Sequence, residues 1–226
     1  AAILLGIDDP HIHDLAVDLA KPCVLINCRD EAMRLSSIAP DHRLIGQFAA
    51  QYLFDMGHRA VLNVMCLRRY TMELRLSGIR DAWQSHNLKL NDKRDLLVVP
   101  SFSARETEQL VSDWLSQKQG KDLPTAFLAG GDFMAAGIIS ALQKQGLRVP
   151  QDVSVVGFDD ILPLDMFSTP ITAVRQPVEA LGQKAVELLL DTDWDDPAAL
   201  AVEHLLPVTL IERSSVAFVS TKNQAT

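Results

Sequence analysis

The chain has 226 residues, enough to bury the core of one large domain or of two lobes of about 100 residues each. Its formal net charge of −8, from 21 basic and 29 acidic residues, argues against an unaided DNA-binding surface, because neutralising phosphates requires clustered lysine and arginine. No apolar run approaches the roughly 18 residues of a membrane span, so no membrane partner is expected. Three cysteines without CxxC spacing favour a reduced, cytoplasmic compartment.

Short apolar runs alternate with longer amphipathic segments, and this alternation predicts βαβ units with a parallel sheet. The short runs are apolar throughout, as expected for strands that helices cover on both faces. The predicted strands are Ile3–Leu5, Cys23–Ile26, Ala60–Val64, Leu96–Val99, Ala126–Ala129 and Val153–Val156.

Start and stop signals define five predicted helices between and after these strands. Asp41 is placed to cap the first helix, which ends at Gly57, and Ser103 and Glu106 have the spacing of a capping box. The first apolar residues of the five helical faces are Leu44, Met72, Leu110, Ile138 and Val178.

Two passages, Arg29–Pro40 and Asp160–Pro177, interrupt the alternation and are predicted to be irregular. Long structureless connections are uncommon in compact α/β units and are often functional. We expect the chain to cross between two lobes here, with a ligand cleft at the carboxyl ends of the parallel strands.

The most informative stretch is LRVPQDVSVVGFDD at 147–160, followed by TPITAVRQP at 169–177. A buried strand is predicted to end at Gly157, where the chain turns and places Asp159 at the carboxyl edge of the sheet. A carboxylate there suits a ligand with hydroxyl or amide donors. An aspartate that only caps a turn explains the same residue equally well.

This stretch closely resembles a motif of the LacI/GalR family of bacterial transcription repressors. Four further segments resemble family motifs in the same order, so the resemblance covers essentially the whole chain. They are YLFDMGHR at 52–59, RLSGI at 75–79, DFMA at 132–135 and LPVTLIER at 206–213.

The resemblance implies a periplasmic-binding-protein-like fold of type I: α/β, with two doubly wound parallel-sheet lobes and an effector in the cleft. Residues 1–39 with 177–204 would form the N-terminal lobe, and 40–176 with 205–220 the C-terminal lobe. A DNA-binding head would read operator DNA as a homodimer. We expect that head to be absent from this sequence and the N-terminal lobe to be truncated.

The family's effector contacts map onto four positions of this chain. Arg75 matches an arginine that forks onto ligand oxygens, and its guanidinium offers five donors in fixed geometry. Asp159 matches the first aspartate of the "GFDD" motif. Phe102 stands where the family often places a stacking aromatic, although an aromatic before a helix is often core. Asn27 stands where an aspartate is usual.

Asp132 is a further candidate ligand residue, but the sequence departs from the family pattern just before it. Gly131 replaces an amide side chain that commonly bonds the effector. We expect Asp132 to cap the helix that it begins.

A second departure replaces the family's glycine-rich turn with residues 65–70, which include Arg68 and Arg69. One hypothesis is that these arginines, close to Arg75, bind an anionic effector such as a phosphorylated sugar, sugar acid or nucleotide. The alternative is that both are solvated loop residues.

Other patterns do not predict a chemical site. The segment Asp8–Asp14 contains two histidines between aspartates, but a solvated loop explains it better than a metal site, and no cofactor is expected. Gly130-Gly131 lacks the Lys-Ser/Thr of a phosphate loop. No nucleophile and base share a catalytic motif, so the chain is not predicted to be an enzyme.

The sequence therefore predicts the effector-sensing domain of a bacterial transcription repressor. It would bind a sugar or sugar derivative and change operator affinity allosterically. The alternative is a periplasmic sugar-binding protein of a transporter.

Overall fold

The computed structural model describes residues 1–19, 21–118, 122–194 and 200–219. The strands of these residues are β1 (Ala2–Leu5), β2 (Cys23–Ile26), β3 (Ser36–Pro40), β4 (Val61–Met65), β5 (Leu96–Val98), β6 (Ala126–Ala129), β7 (Ser154–Asp159), β8 (Thr172–Arg175), β9 (Glu203–Leu206) and β10 (Thr209–Ile211). The helices are α1 (Pro10–Asp18), α2 (His42–Asp55), α3 (Tyr70–Ser85), α4 (Asp92–Asp95), α5 (Ala104–Lys118), α6 (Asp132–Lys144) and α7 (Val178–Asp191), with a 3-10 turn at Leu164–Met166.

The chain divides into two compact units. The first comprises Ala1–His42 and Pro177–Val208, and the second comprises Arg43–Gln176 and the described residues from Thr209 to Val219. The chain therefore passes from one unit to the other three times.

The first unit is built on a parallel sheet with the strand order β1-β2-β3-β9. Side chains of β2 alternate between the two faces of this sheet. Val24 packs in a cluster with Leu181 and Ala185 of α7, whereas Leu25 packs in a separate cluster with Val17 of α1. Because helices cover both faces, β2 is apolar at every position.

The second unit contains a sheet with the strand order β10-β8-β7-β6-β4-β5. Its pairs are parallel, except that β10 runs antiparallel to β8. Phe127 of β6 and Val155 of β7 form its core with Ile138 and Leu142 of α6. The predicted α/β fold with parallel sheets is confirmed.

Both passages predicted to be irregular contain a strand. β3 lies within Arg29–Pro40 and β8 lies within Asp160–Pro177. The sequence of β3 lacks an apolar run because its first two residues are buried serines, and the Ser36 hydroxyl accepts a hydrogen bond from the Val202 backbone N–H at 3.2 Å.

Two other predictions are wrong in detail. β7 does not end at Gly157 but continues through Asp159, whose pairing partner on β8 is Arg175. The segment expected to be a solvated loop at Asp8–Asp14 forms most of α1. Asp9 caps this helix, Pro10 begins it, and His13 is buried with its Nε2 2.8 Å from the Ile7 carbonyl oxygen.

No helix among the described residues is long and apolar enough to cross a bilayer. Within the same residues, no group of three or more histidine, cysteine or acidic side chains could hold a metal ion. The side chains of Cys23, Cys28 and Cys66 are buried, and no disulfide joins them.

Candidate functional site

The candidate site lies where parallel strands of the second unit end. Gly130 and Gly131 follow β6 directly, Asp159 ends β7, and Arg175 ends β8. Because these strands are parallel neighbours, their carboxyl ends share one edge of the sheet. This is the edge at which open α/β sheets bind ligands.

Arg75 reaches this edge from α3 and is only 3% exposed. Its Nη2 donates a hydrogen bond to Asp159 Oδ1 at 2.7 Å, and its Nη1 lies 3.4 Å from the Gly130 carbonyl oxygen. The guanidinium carbon lies 5.1 Å from the centroid of the Phe158 ring. The two residues predicted as separate effector contacts are therefore ion-paired with each other.

Two glycines set the close approach of α2 and α3, and with it the position of Arg75. A Cβ on Gly46 of α2 would lie 1.9 Å from the Arg75 carbonyl oxygen. A Cβ on Gly78 of α3 would lie 1.8 Å from the Arg43 carbonyl oxygen. Each helix therefore presents a position without a side chain to the backbone of the other.

Replacing Gly46 by alanine is expected to lower the free energy of unfolding by about 3 kcal/mol, because the added methyl group forces the two backbones apart. Chemical denaturation followed by circular dichroism measures this loss. Gly182→Ala, on α7, is the matched control, since a Cβ there would meet no atom of the described residues within 4 Å outside its own helix and chain neighbours. The control should be neutral or stabilise by up to about 1 kcal/mol. Equal stability of the two variants would contradict the close approach.

Asp159 and Asp160 both have a left-handed backbone, with φ of 82° and 53°. Two successive non-glycine residues in this region store strain, which persists only where surrounding contacts hold it. Gln176, which is 6% exposed, supplies two of those contacts: its backbone N–H donates to the Asp159 carbonyl at 3.0 Å, and its amide donates to Asp159 Oδ1. Gln176 is also the last residue before the chain passes into the first unit.

Asp132 holds the next stretch of chain. Its carboxylate accepts hydrogen bonds from the backbone N–H groups of Asp160 at 3.1 Å, Ile161 at 2.8 Å and Leu162 at 2.9 Å. Gly131, not Asp132, occupies the N-cap position of α6, and Asp132 is the first helical residue, so the predicted helix cap is wrong. Burial raises the pKa of Asp132 to about 6, with a further increase from the charge of Asp159 and a partial decrease from the three N–H groups.

The Asp160 side chain is the centre of a second ionic cluster and is 2% exposed. Arg175 contacts Asp160 Oδ2 at 2.7 Å, and Arg213 contacts Oδ1 at 2.9 Å. Arg213 also donates to the Ile171 carbonyl at 2.6 Å. Two arginines therefore stabilise one buried carboxylate and fix the turn that follows Asp159.

Three predicted site residues lie elsewhere in the units. Phe102 precedes α5 in the second unit and is 37% exposed. Arg69 immediately precedes α3, and its side chain makes no capping hydrogen bond. Asn27 belongs to the first unit, where its Oδ1 lies 2.6 Å from Nε2 of His42. Their contacts with an effector stay predictions.

Gln176, Asp160 and Arg213 belong to this arrangement but were not among the site residues predicted from the sequence. Gln176 and Asp160 stand inside the recognised motif, directly beside residues that were named. The motif itself could therefore have pointed to both residues as members of the site. Arg213 lies 53 positions from Asp160, and no local pattern links the two.

A family model described as a periplasmic binding protein-like domain matches residues 50–216. The HTH-type transcriptional repressor PurR of Vibrio parahaemolyticus is 32% identical over 197 residues, which cover 85% of this chain and 57% of the repressor. The chain thus spans about half the length of the curated relatives that it matches.

Solved structures of transcription regulators are also similar. A LacI family regulator of Enterococcus faecalis with bound ribose is 27% identical, with a TM-score of 0.81 over 96% of this chain and 78% of that one. The lac repressor dimer bound to operator and the anti-inducer ONPF is 26% identical, with a TM-score of 0.80 over 95% of this chain and 73% of that one.

Proposed function

Since this chain belongs to the periplasmic binding protein-like domain family, in the form that LacI/GalR regulators carry as their effector-binding domain, we propose that it senses a small sugar-like effector for a transcription repressor. The PurR proteins of Vibrio parahaemolyticus and Erwinia tasmaniensis, to which it is similar, are transcriptional repressors.

The observation that carries this proposal is the Arg75–Asp159 pair at the carboxyl edge of the sheet. The pair combines guanidinium donors with carboxylate acceptors, and sugar hydroxyls both donate and accept hydrogen bonds. The Asp159 side chain is 22% exposed, so a ligand has access to it. The ribose in the Enterococcus faecalis regulator supports a sugar as the class of effector.

The charges around this pair support a neutral effector over an anionic one. Asp159 pairs with Arg75, and Asp160 pairs with Arg175 and Arg213. Asp132 lies beside Asp160, so this part of the edge contains three aspartates and three arginines, and these six residues have no excess positive charge to attract an anion. Arg68 and Arg69 remain the basis of the anionic hypothesis.

Isothermal titration calorimetry tests the effector and its charge together. The panel comprises D-ribose, D-glucose and cellobiose, with D-ribose 5-phosphate and D-glucose 6-phosphate as charged matches. We expect a neutral sugar to bind more tightly than its phosphorylated match. Tighter binding of a phosphorylated sugar would favour the anionic hypothesis, and the absence of binding across the panel would contradict sugar sensing.

The activity of the whole protein is part of the same proposal. A DNA-binding head would bind operator DNA in the cytoplasm as a homodimer, and effector binding would change its operator affinity. The lac repressor, solved as a dimer on its operator, supports this arrangement. The gene sequence directly upstream is the test: a helix-turn-helix segment supports the regulator, and a secretion signal supports the transport protein.

A further inference from the structure

The two carboxylate oxygens of Asp159 have different surroundings. Oδ1 accepts hydrogen bonds from Arg75 and Gln176. Oδ2 accepts none from the residues that the structure describes. A carboxylate oxygen with unused acceptor capacity, on a side chain that is 22% exposed, is available to a ligand.

Gly131 leaves the space beside this oxygen empty. A Cβ on Gly131 would lie 3.2 Å from Asp159 Oδ2, and, apart from its chain neighbours, no other atom of the described residues lies within 4 Å of it. The backbone does not require glycine here, because its φ of 168° is extended. A Cβ on the preceding Gly130 would instead contact Met72, Val64 and Met134 at 3.1 to 3.2 Å. Gly131 therefore differs from Gly130, because a side chain on it would meet the open oxygen alone.

We propose that Gly131 is a specificity-determining residue: its missing side chain admits a ligand hydroxyl or amide N–H group, which donates to Asp159 Oδ2. The ligand class is one with a donor on a substituent that fills the volume of a short side chain. A ligand group that only accepts hydrogen bonds is excluded from this position, because it would face a carboxylate oxygen without a proton between them. This inference rests on the proposed function, since it concerns the effector site.

The first experiment compares ligand affinities by calorimetry, using whichever of D-ribose, D-glucose and cellobiose binds the wild type most tightly. Gly131→Ala is expected to weaken binding at least tenfold, whereas Gly182→Ala, on α7, should leave the affinity unchanged. Combining Gly131→Ala with Asp159→Asn should weaken binding by less than the product of the two single effects, since both changes act on one hydrogen bond. The proposal would be overturned if Gly131→Ala bound the sugar with wild-type affinity. It would also be overturned if the double variant weakened binding by the full product of the two single effects.

A second experiment needs no ligand and separates this inference from the proposed function. Gly131→Asn and Gly131→Leu introduce side chains of similar size, but only the carboxamide can donate to Oδ2. We expect Gly131→Asn to melt several degrees above Gly131→Leu. Gly131 occupies the N-cap position of α6, where asparagine is favoured over leucine, so part of this difference is independent of Asp159. The hydrogen bond to Oδ2 accounts for the rest, and the difference should therefore shrink clearly when Asp159 is replaced by alanine. If no sugar binds the wild type but the difference shrinks in this way, the proposal of sugar sensing is wrong and the inference about Oδ2 is supported. A difference that Asp159→Ala leaves unchanged would overturn the inference.

Discussion

Replacing Arg75 by methionine is expected to lower the free energy of unfolding by about 3 kcal/mol, because the change leaves the Asp159 carboxylate without its main positive partner. The change also removes the donor to the Gly130 carbonyl and the cation over the Phe158 ring. Breaking one side of a mostly buried ion pair costs more than removing both sides. Denaturant unfolding at neutral pH measures the loss.

The double variant Arg75→Met with Asp159→Asn provides the internal control. It is expected to recover part of the stability lost in each single variant, because neither unpaired charge remains. Arg75→Lys keeps the charge but lacks the fork that contacts Asp159 and Gly130 together, so it should be intermediate in stability and still fail to bind sugar. Strictly additive losses in the double variant would show that the two residues do not act as a pair.

Asp132→Asn is expected to change how stability depends on pH. The unfolded carboxyl has its ordinary pKa of 3.8, whereas burial raises the folded value to about 6. The folded chain therefore binds the proton more tightly, and the contribution of Asp132 to stability is most favourable below pH 4 and is lost as the pH rises through 6. The difference between the two pKa values corresponds to about 3 kcal/mol.

Relative to the wild type, Asp132→Asn should thus gain about 3 kcal/mol in unfolding free energy between pH 3 and pH 7, because it has no carboxyl group to ionise. Burial lowers the pKa of His58 to about 4, and this group titrates over the same range with the opposite sign. His58 is present in both proteins, so the difference between them isolates Asp132. A difference that is flat with pH would contradict the raised pKa.

Hydrogen exchange gives a second measurement of the role of Asp132. In Asp132→Ala the backbone N–H groups of Asp160, Ile161 and Leu162 lose their common acceptor, and their exchange should accelerate. Asp132→Asn keeps one oxygen and should show a smaller increase. Unchanged exchange at these positions in Asp132→Ala would contradict the proposed support of the turn.

Strands whose side chains are buried on both faces were the most predictable parts of the fold. β2 and β6 have the bounds that their apolar runs indicate. β3 could not be found in this way, because its buried serines make hydrogen bonds that only the folded chain supplies. α1 was missed although Asp9 and Pro10 are a standard start signal, since the neighbouring histidines suggested a solvated loop.

By itself, the sequence determined the α/β class and the presence of an arginine and an aspartate with ligand-binding chemistry, because apolar periodicity and motif order are local properties. Only the tertiary structure decided that Arg75 and Asp159, 84 positions apart, bond to each other. It likewise decided that Asp132 supports the 160–162 turn rather than its own helix, and that Gly131 faces an open carboxylate oxygen. The physical reason is that these features depend on which strand ends lie next to each other in the folded sheet. The spacing of residues along the chain does not specify which side chains bond, which are buried or where space is left open.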